Sequence, residues 1–167
     1  VVTEDVIGAL IRDATKRKIS TAVDPKKKNF WAYRGVTLFK PNLKEVRDSL
    51  PFPIEPESDS LQKAAHFMRE KLGHEITLIT LSDRGLFIEE EGYHRMEGAR
   101  PRIISDVCGA GDTVISVAAL GMAGGLGLDE IAQLSNMAGG LVCEKVGVVP
   151  VDRTELLFEY ESSQKEA

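Results

Sequence analysis

Apolar positions recur along this chain in two rhythms, one of about 3.6 residues and one of 2, and the switches between them mark out its elements. From Thr3, the segment TEDVIGALIRDATKRK sets Val6, Ile7, Leu10, Ile11 and Ala14 at helical spacing, with a capping hydroxyl in front, acids in the first turn and bases at the end. A helix is predicted there. Ile19–Val23 and Val36–Phe39 are β-prone runs, each stopped by a proline turn, Asp24-Pro25 and Pro41-Asn42. A short helix is expected over Leu43–Leu50, and the acidic, proline-rich PFPIEPESDS reads as a mobile loop inside one domain. Ser60–Leu72 is amphipathic through Leu61, Ala64, Ala65, Met68 and Leu72, and a strand over Glu75–Leu81 follows. Gly85–Glu90 and Tyr93–Glu97 flank Glu91-Gly92 as a hairpin. Arg102–Ser105 is a last β-prone run before a glycine-rich turn, helices over Asp112–Ala123 and Leu128–Cys143, and a polar helix from Asp152. This alternation, with no internal repeat, predicts an α/β fold class: three layers around a mainly parallel sheet with an added hairpin. Ligands of such folds bind at the loops where strands end.

Composition narrows the class without naming a chemistry. The 167 residues are 43% hydrophobic and 28% charged, enough for one ordinary folded core. A formal charge of -5 argues against a broad basic face, so neither nucleic acid nor an anionic membrane is an expected partner. The longest apolar stretch, around Val114–Ala123, is broken by Ser116 and Gly121 and is too short to span a bilayer. The 1–18 segment has no signal-peptide pattern, and its lack of an initiating Met suggests a piece of something longer. Two cysteines, Cys108 and Cys143, are too few for a disulfide framework, which leads to an expectation of two free, mostly buried thiols and a cytoplasmic location.

The chemistry concentrates in Asp106-Val-Cys-Gly-Ala-Gly-Asp-Thr113, between the last β-prone run and an apolar helix. Glycines at 109 and 111 allow backbone N–H groups to converge, and a helix N-terminus adds positive potential, so the turn suits an anion. An acid at Asp112, beside that anion, makes sense if it must orient or receive the proton of an attacking hydroxyl. The plainer alternative is that Asp112 caps the helix.

This octapeptide resembles the C-terminal signature of the PfkB or ribokinase family of ATP-dependent sugar kinases. The resemblance extends over nearly the whole chain: PNLKE at 41–45, ITLSDRG at 79–85 and SNMAGGLVCEKVG at 135–147 are similar to further family motifs in the family order. It implies a ribokinase fold, a central sheet flanked by helices with a small sheet lid over the sugar. It implies Asp112 as general base, chiefly aligning the hydroxyl in a loose transition state, with the backbone of Gly109, Ala110 and Gly111 as anion hole. Asn42 and Glu45 would serve Mg²⁺ through water; Thr80, Ser82, Arg84 and Gly85 would line the triphosphate. Asn136 would lie near the adenine, with Gly139 and Gly140 allowing that helix to pack closely. A monovalent cation such as K⁺ would take Asp106 and the carbonyls of Cys108, Val142 and Gly147.

Within the family, AVDPKKKNFWAYRGVTLFKPN is similar to the branch that phosphorylates heptose 7-phosphate, with Lys26 on a nucleotide phosphate, Lys27 and Lys28 solvated, and Trp31 and Tyr33 as packing residues. Family members are longer, and their N-terminal half supplies most sugar contacts, the lid and several strands. Residues 1–167 are therefore expected to be a single partial domain, the nucleotide-binding and catalytic half, acting on ATP and a sugar or sugar phosphate. The missing half, or a second copy, is the expected protein partner. The alternatives are a non-catalytic nucleotide-binding module for regulation or assembly, and a kinase of the same family for another sugar or a nucleoside.

Overall fold

The structure, a computed structural model, describes residues 2–166. Val1 and Ala167 lie outside the described residues, the latter at the end of the predicted last helix. Helix α1 covers Glu4–Lys16, and the Thr3 hydroxyl caps it by accepting from the Val6 amide at 3.4 Å. Strands β1 (Ala22–Val23) and β2 (Leu38–Phe39) are shorter than their β-prone runs. Helices α2 (Leu43–Ser49) and α3 (Ser58–Leu72) precede β3 (Ile76–Thr80), and α3 stops at Gly73, whose φ of 64° is the left-handed conformation glycine accepts freely. The hairpin is β4 (Leu86–Glu90) and β5 (Tyr93–Glu97), followed by α4 (Ala110–Ala123), α5 (Leu128–Cys143) and α6 (Arg153–Glu166).

These strands form one five-stranded mixed sheet in the order β1-β2-β3-β4-β5. β1, β2 and β3 run parallel, and the hairpin extends the sheet from β3 in antiparallel pairing. The period of 2 sends neighbouring side chains to opposite layers. Leu38, Ile76, Leu78, Leu86 and Ile88 pack with Val114 and Ala118 of α4 and Ile131 and Ala132 of α5. Phe39, Ile79 and Phe87 pack on the other side with Val46 of α2 and Leu61, Ala64, Ala65 and Met68 of α3. Trp31 and Tyr33 pack against that second cluster, as expected, Trp31 standing edge-on to Phe30 at 5.0 Å and to Phe67 at 6.1 Å.

Three local expectations are corrected. Arg102–Ser105 forms no strand; the Ser105 amide instead donates to the Cys143 carbonyl at 2.8 Å. The proline-rich loop is pinned: Ile54 is buried and its carbonyl accepts from Arg47 Nε at 2.8 Å. Helix α1 buries only part of its stripe, with Ile7 in the core but Val6 and Leu10 exposed.

Candidate active site

The carboxyl ends of β1, β2 and β3 lie side by side, and the first turn of α4 faces them. The Lys40 amide donates to the Val23 carbonyl at 2.8 Å and the Thr80 amide to the Pro41 carbonyl at 3.1 Å, which brings Asp24, Lys40, Asn42 and Thr80 to one edge. Alternation sets Lys40 on the same side as Leu38, the side of α4. Its ammonium consequently lies 3.7 Å from where a Cβ on Gly111 would stand. Lys40 is 2% exposed and pairs with Asp24 at 3.5 Å.

Gly109 takes φ 80° as the residue before α4, a conformation for which glycine is suited, and its missing Cβ would meet Val148 Cγ1 at 3.2 Å. The Ala110 amide is turned to the Val107 carbonyl at 3.3 Å, whereas helix geometry leaves the next amides, of Gly111 and Asp112, without intrahelical partners. Asp112 is not the cap: Gly109 holds that position, and Asp112 lies exposed in the first turn. Its carboxylate acts on Lys26. Partial burial pulls the Lys26 ammonium down, but a hydrogen bond to Asp24 at 3.2 Å and the charges of Asp24, Glu45 and Asp112 outweigh that and hold it above its ordinary value.

Asn42 and Glu45 form a capping box on α2: Asn42 Oδ1 accepts from the Glu45 amide, and Glu45 Oε2 from the Asn42 amide, both at 2.8 Å. That leaves Glu45 Oε1, which lies 3.7 Å from Lys26. Contact with Mg²⁺ through water suits this arrangement better than direct ligation, since one oxygen of Glu45 is already committed. Among the described residues, no group of three or more His, Cys, Asp or Glu side chains is placed to hold a metal.

The remaining expected nucleotide contacts form a second group. Ser82 and Arg84 lie in a 3-10 turn, and Arg84 points to Glu57 at 3.9 Å. A Cβ on Gly85, at φ 92°, would fall 1.9 Å from the Glu97 carbonyl oxygen and 2.7 Å from the Ala99 nitrogen. This glycine is required by the packing of 85 on 97–99. Gly85→Ala should lower stability by at least about 2 kcal/mol, from backbone strain and overpacking together, readable as a fall in the denaturant midpoint. Asn136 donates to the Gly98 carbonyl at 2.8 Å and so ties α5 to the same segment. Gly139 gives the close helix approach expected, its missing Cβ falling 2.7 Å from Val114 Cγ2. Gly140 instead lies under Arg102, whose Nε would be 2.4 Å from a Cβ there. Arg102 is held above its ordinary range: burial opposes its charge, but Glu159 and Glu144 more than compensate.

Asp106 joins two loops. Its Oδ1 accepts from the Cys108 amide at 3.0 Å and its Oδ2 from the Gly147 amide at 3.1 Å; the Cys108 thiol first, then the amides of Cys108 and Gly147, hold the carboxyl below its usual range. Three of the four residues expected at a monovalent cation thus meet at one carboxylate that keeps spare lone pairs. The Val142 carbonyl accepts from the Lys145 amide at 3.2 Å. Cys108 is exposed and Cys143 half-buried, which corrects the expectation of buried thiols: Cys108 stands in the turn, not on the helix face.

Sequence reasoning passes over Lys40, gives Asp24 a place in a strand-ending turn and in the Asp-Pro-Lys segment but no contact, and gives Arg102 no role at the site. The signal for Lys40 was the period of 2, which carries a lysine onto the α4 side just before the strand-ending proline.

The family described as pfkB family carbohydrate kinase matches residues 7–154. The chain belongs to this family. Among curated relatives of this pfkB-family chain, the bifunctional protein HldE of Syntrophotalea carbinolica is 38% identical over 159 residues, covering 93% of this chain and 32% of its own length. The protein of the same name from Trichlorobacter lovleyi is 38% identical over 160 residues. Escherichia coli phosphofructokinase-2 in complex with potassium superposes with a TM-score of 0.84 at 22% identity, over 96% of this chain and 53% of that one. Arabidopsis thaliana ribokinase complexed with ribose and ATP does so with a TM-score of 0.80 at 18% identity, over 93% and 52%. These superpositions show the ribokinase fold. The chain spans about a third of the curated relatives' length and about half of the solved structures'. No described helix is long and apolar enough to cross a membrane.

Proposed function

We propose that this chain is the nucleotide-binding and catalytic half of an ATP-dependent sugar kinase, a single partial domain over residues 1–167. The observation that carries the reading is the meeting of a free helix turn, two lysines and an exposed carboxylate at the carboxyl edge of the sheet. The amides of Gly111 and Asp112, with the positive end of α4, suit the charge of a transferring phosphoryl group. Lys26 and Lys40 suit the triphosphate, and Asp112 is placed to align the acceptor hydroxyl and take its proton late in transfer. Mg²⁺ would supply charge neutralisation of the phosphates near Asn42 and Glu45. Thr80, Ser82, Arg84, Gly85 and Asn136 are proposed on the nucleotide, with the loop 82–85 and the 97–99 segment held as one surface by Gly85. An acceptor half or a second copy is the proposed protein partner, and the cytoplasm the proposed location.

For the acceptor, the Asp-Pro-Lys and Tyr-Arg-Gly segments and the relatives named HldE support heptose 7-phosphate. A screen of free and phosphorylated sugars, with a protein carrying both halves, tests this: heptose 7-phosphate should give the highest kcat/KM. A higher value for fructose 6-phosphate, ribose or a nucleoside would reassign the acceptor, and no transfer to any acceptor would favour a non-catalytic nucleotide module.

The Asp106 carboxylate and the neighbouring carbonyls are proposed to take K⁺ and so order the turn beside it. Replacing K⁺ by a bulky organic cation at matched ionic strength should lower kcat; equal rates in both salts would remove the cation from this site.

A further inference from the structure

An acid where a triphosphate is to bind is unfavourable by simple charge arithmetic, yet Asp24 sits there with its side chain mostly buried. A Cβ on Gly111 would stand 4.0 Å from its Oδ2. What Asp24 touches explains its presence. Oδ1 accepts from Lys26 at 3.2 Å, and Oδ2 faces Lys40 at 3.5 Å. Asp24 and Lys40 are the residues that follow the last pair in register between β1 and β2, Val23 and Phe39, so backbone pairing presets their spacing. A lysine carries a long, flexible stem, and an ammonium left to itself loses much rotamer freedom on meeting a phosphate. The Lys40 contact is longer than a good charge-assisted hydrogen bond, so its donors remain available to a ligand.

We infer that Asp24 is a positioning residue whose carboxylate fixes the ammonium groups of Lys26 and Lys40 beside the Gly109–Gly111 turn, so that a triphosphate meets two preset cations. This rests on the nucleotide reading above and adds to it a residue that acts only through the lysines. Its consequence runs against net charge: removing this negative group weakens the binding of an anion.

The test is an NMR-detected titration of the chain, which reads weak binding, with ATP and with adenosine at matched ionic strength. Asp24→Asn should weaken ATP binding by about tenfold or more and leave adenosine unchanged, because only the phosphates meet the lysines. Asp24→Glu should recover most of the loss. In a Lys40→Met background, Asp24→Asn should have a smaller effect than it has alone. Removing the buried partner of Lys40 also costs stability, so each variant's thermal midpoint is measured. A variant that unfolds is replaced in the comparison by Asp24→Glu against Lys40→Met, where only the latter should lose ATP. Equal or tighter ATP binding by Asp24→Asn, or a parallel loss of adenosine, overturns the positioning role. No response of the unmodified chain to ATP overturns the nucleotide reading itself.

Discussion

Replacing Asp112 by Asn, in a protein that carries both halves of the kinase, should lower kcat by about 10²–10⁴-fold. The KM for ATP should stay level or fall slightly. The amide keeps the shape of the side chain and its place in the first turn of α4, but it cannot accept the hydroxyl proton. It also removes one negative charge from beside the phosphate site, which is why binding of ATP should not weaken. A loss confined to kcat marks an interaction made in the transition state and absent from the ground state. Asp112 is exposed and Gly109 holds the cap position, so the substitution takes no cap from α4 and the fold should survive it. Near-normal turnover would remove Asp112 from the mechanism. Asp24→Asn makes an informative contrast, since it deletes the same charge near the same turn and is expected to act on ATP affinity.

The second large effect concerns the chain by itself, which should transfer phosphate to sugar at a negligible rate while still recognising ATP. Holding two reactants in line accounts for roughly 7 to 11 kcal/mol of barrier lowering, and a half-site without acceptor contacts forgoes most of it. The sheet also ends at β1, and Val6 and Leu10 of α1 stand in solvent while Ile7 of the same helix is buried and Ile11 packs against the core. Such a surface favours self-association or pairing with a second chain. A coupled kinase assay should give no signal above background with any sugar, and sedimentation should show mass growing with concentration. Robust sugar phosphorylation by a monomer would overturn the half-enzyme reading.

Much of the fold is legible in the chain because its elements obey simple periods. Leu128–Cys143 and Tyr93–Glu97 match the predicted bounds, since a long amphipathic run and a tight Glu91-Gly92 turn each leave few alternatives. The early strands are less legible: β-propensity extends over Ile19–Val23 and Val36–Phe39, but a strand exists only where a partner lies in register, and that pairing is a tertiary fact. Arg102–Ser105 fails for the same reason, as the Ser105 amide is drawn to the end of α5. The anion turn was legible from its glycines, yet the charge around it was not. Lys40 and Asp24 are sixteen positions apart in the chain and meet only because β1 and β2 end together. Gly140 was legible as a close helix approach and Gly85 as a loop glycine on the nucleotide, whereas what approaches them, Arg102 and the 97–99 backbone, was not.

The central claim is that the turn at Gly109–Gly111, backed by Lys26 and Lys40, receives the phosphates of ATP. Titration of the ¹⁵N-labelled chain with ATP tests it most directly, with adenosine as the phosphate-free control. The account predicts that ATP shifts the amides of Gly109, Gly111 and Asp112 and that of Lys40, and that adenosine leaves these four in place. Shifts gathered elsewhere, for example in the groove between α3 and the hairpin lined by Asp59, Arg69 and Glu89, with the 109–112 amides unmoved at saturation, would contradict it.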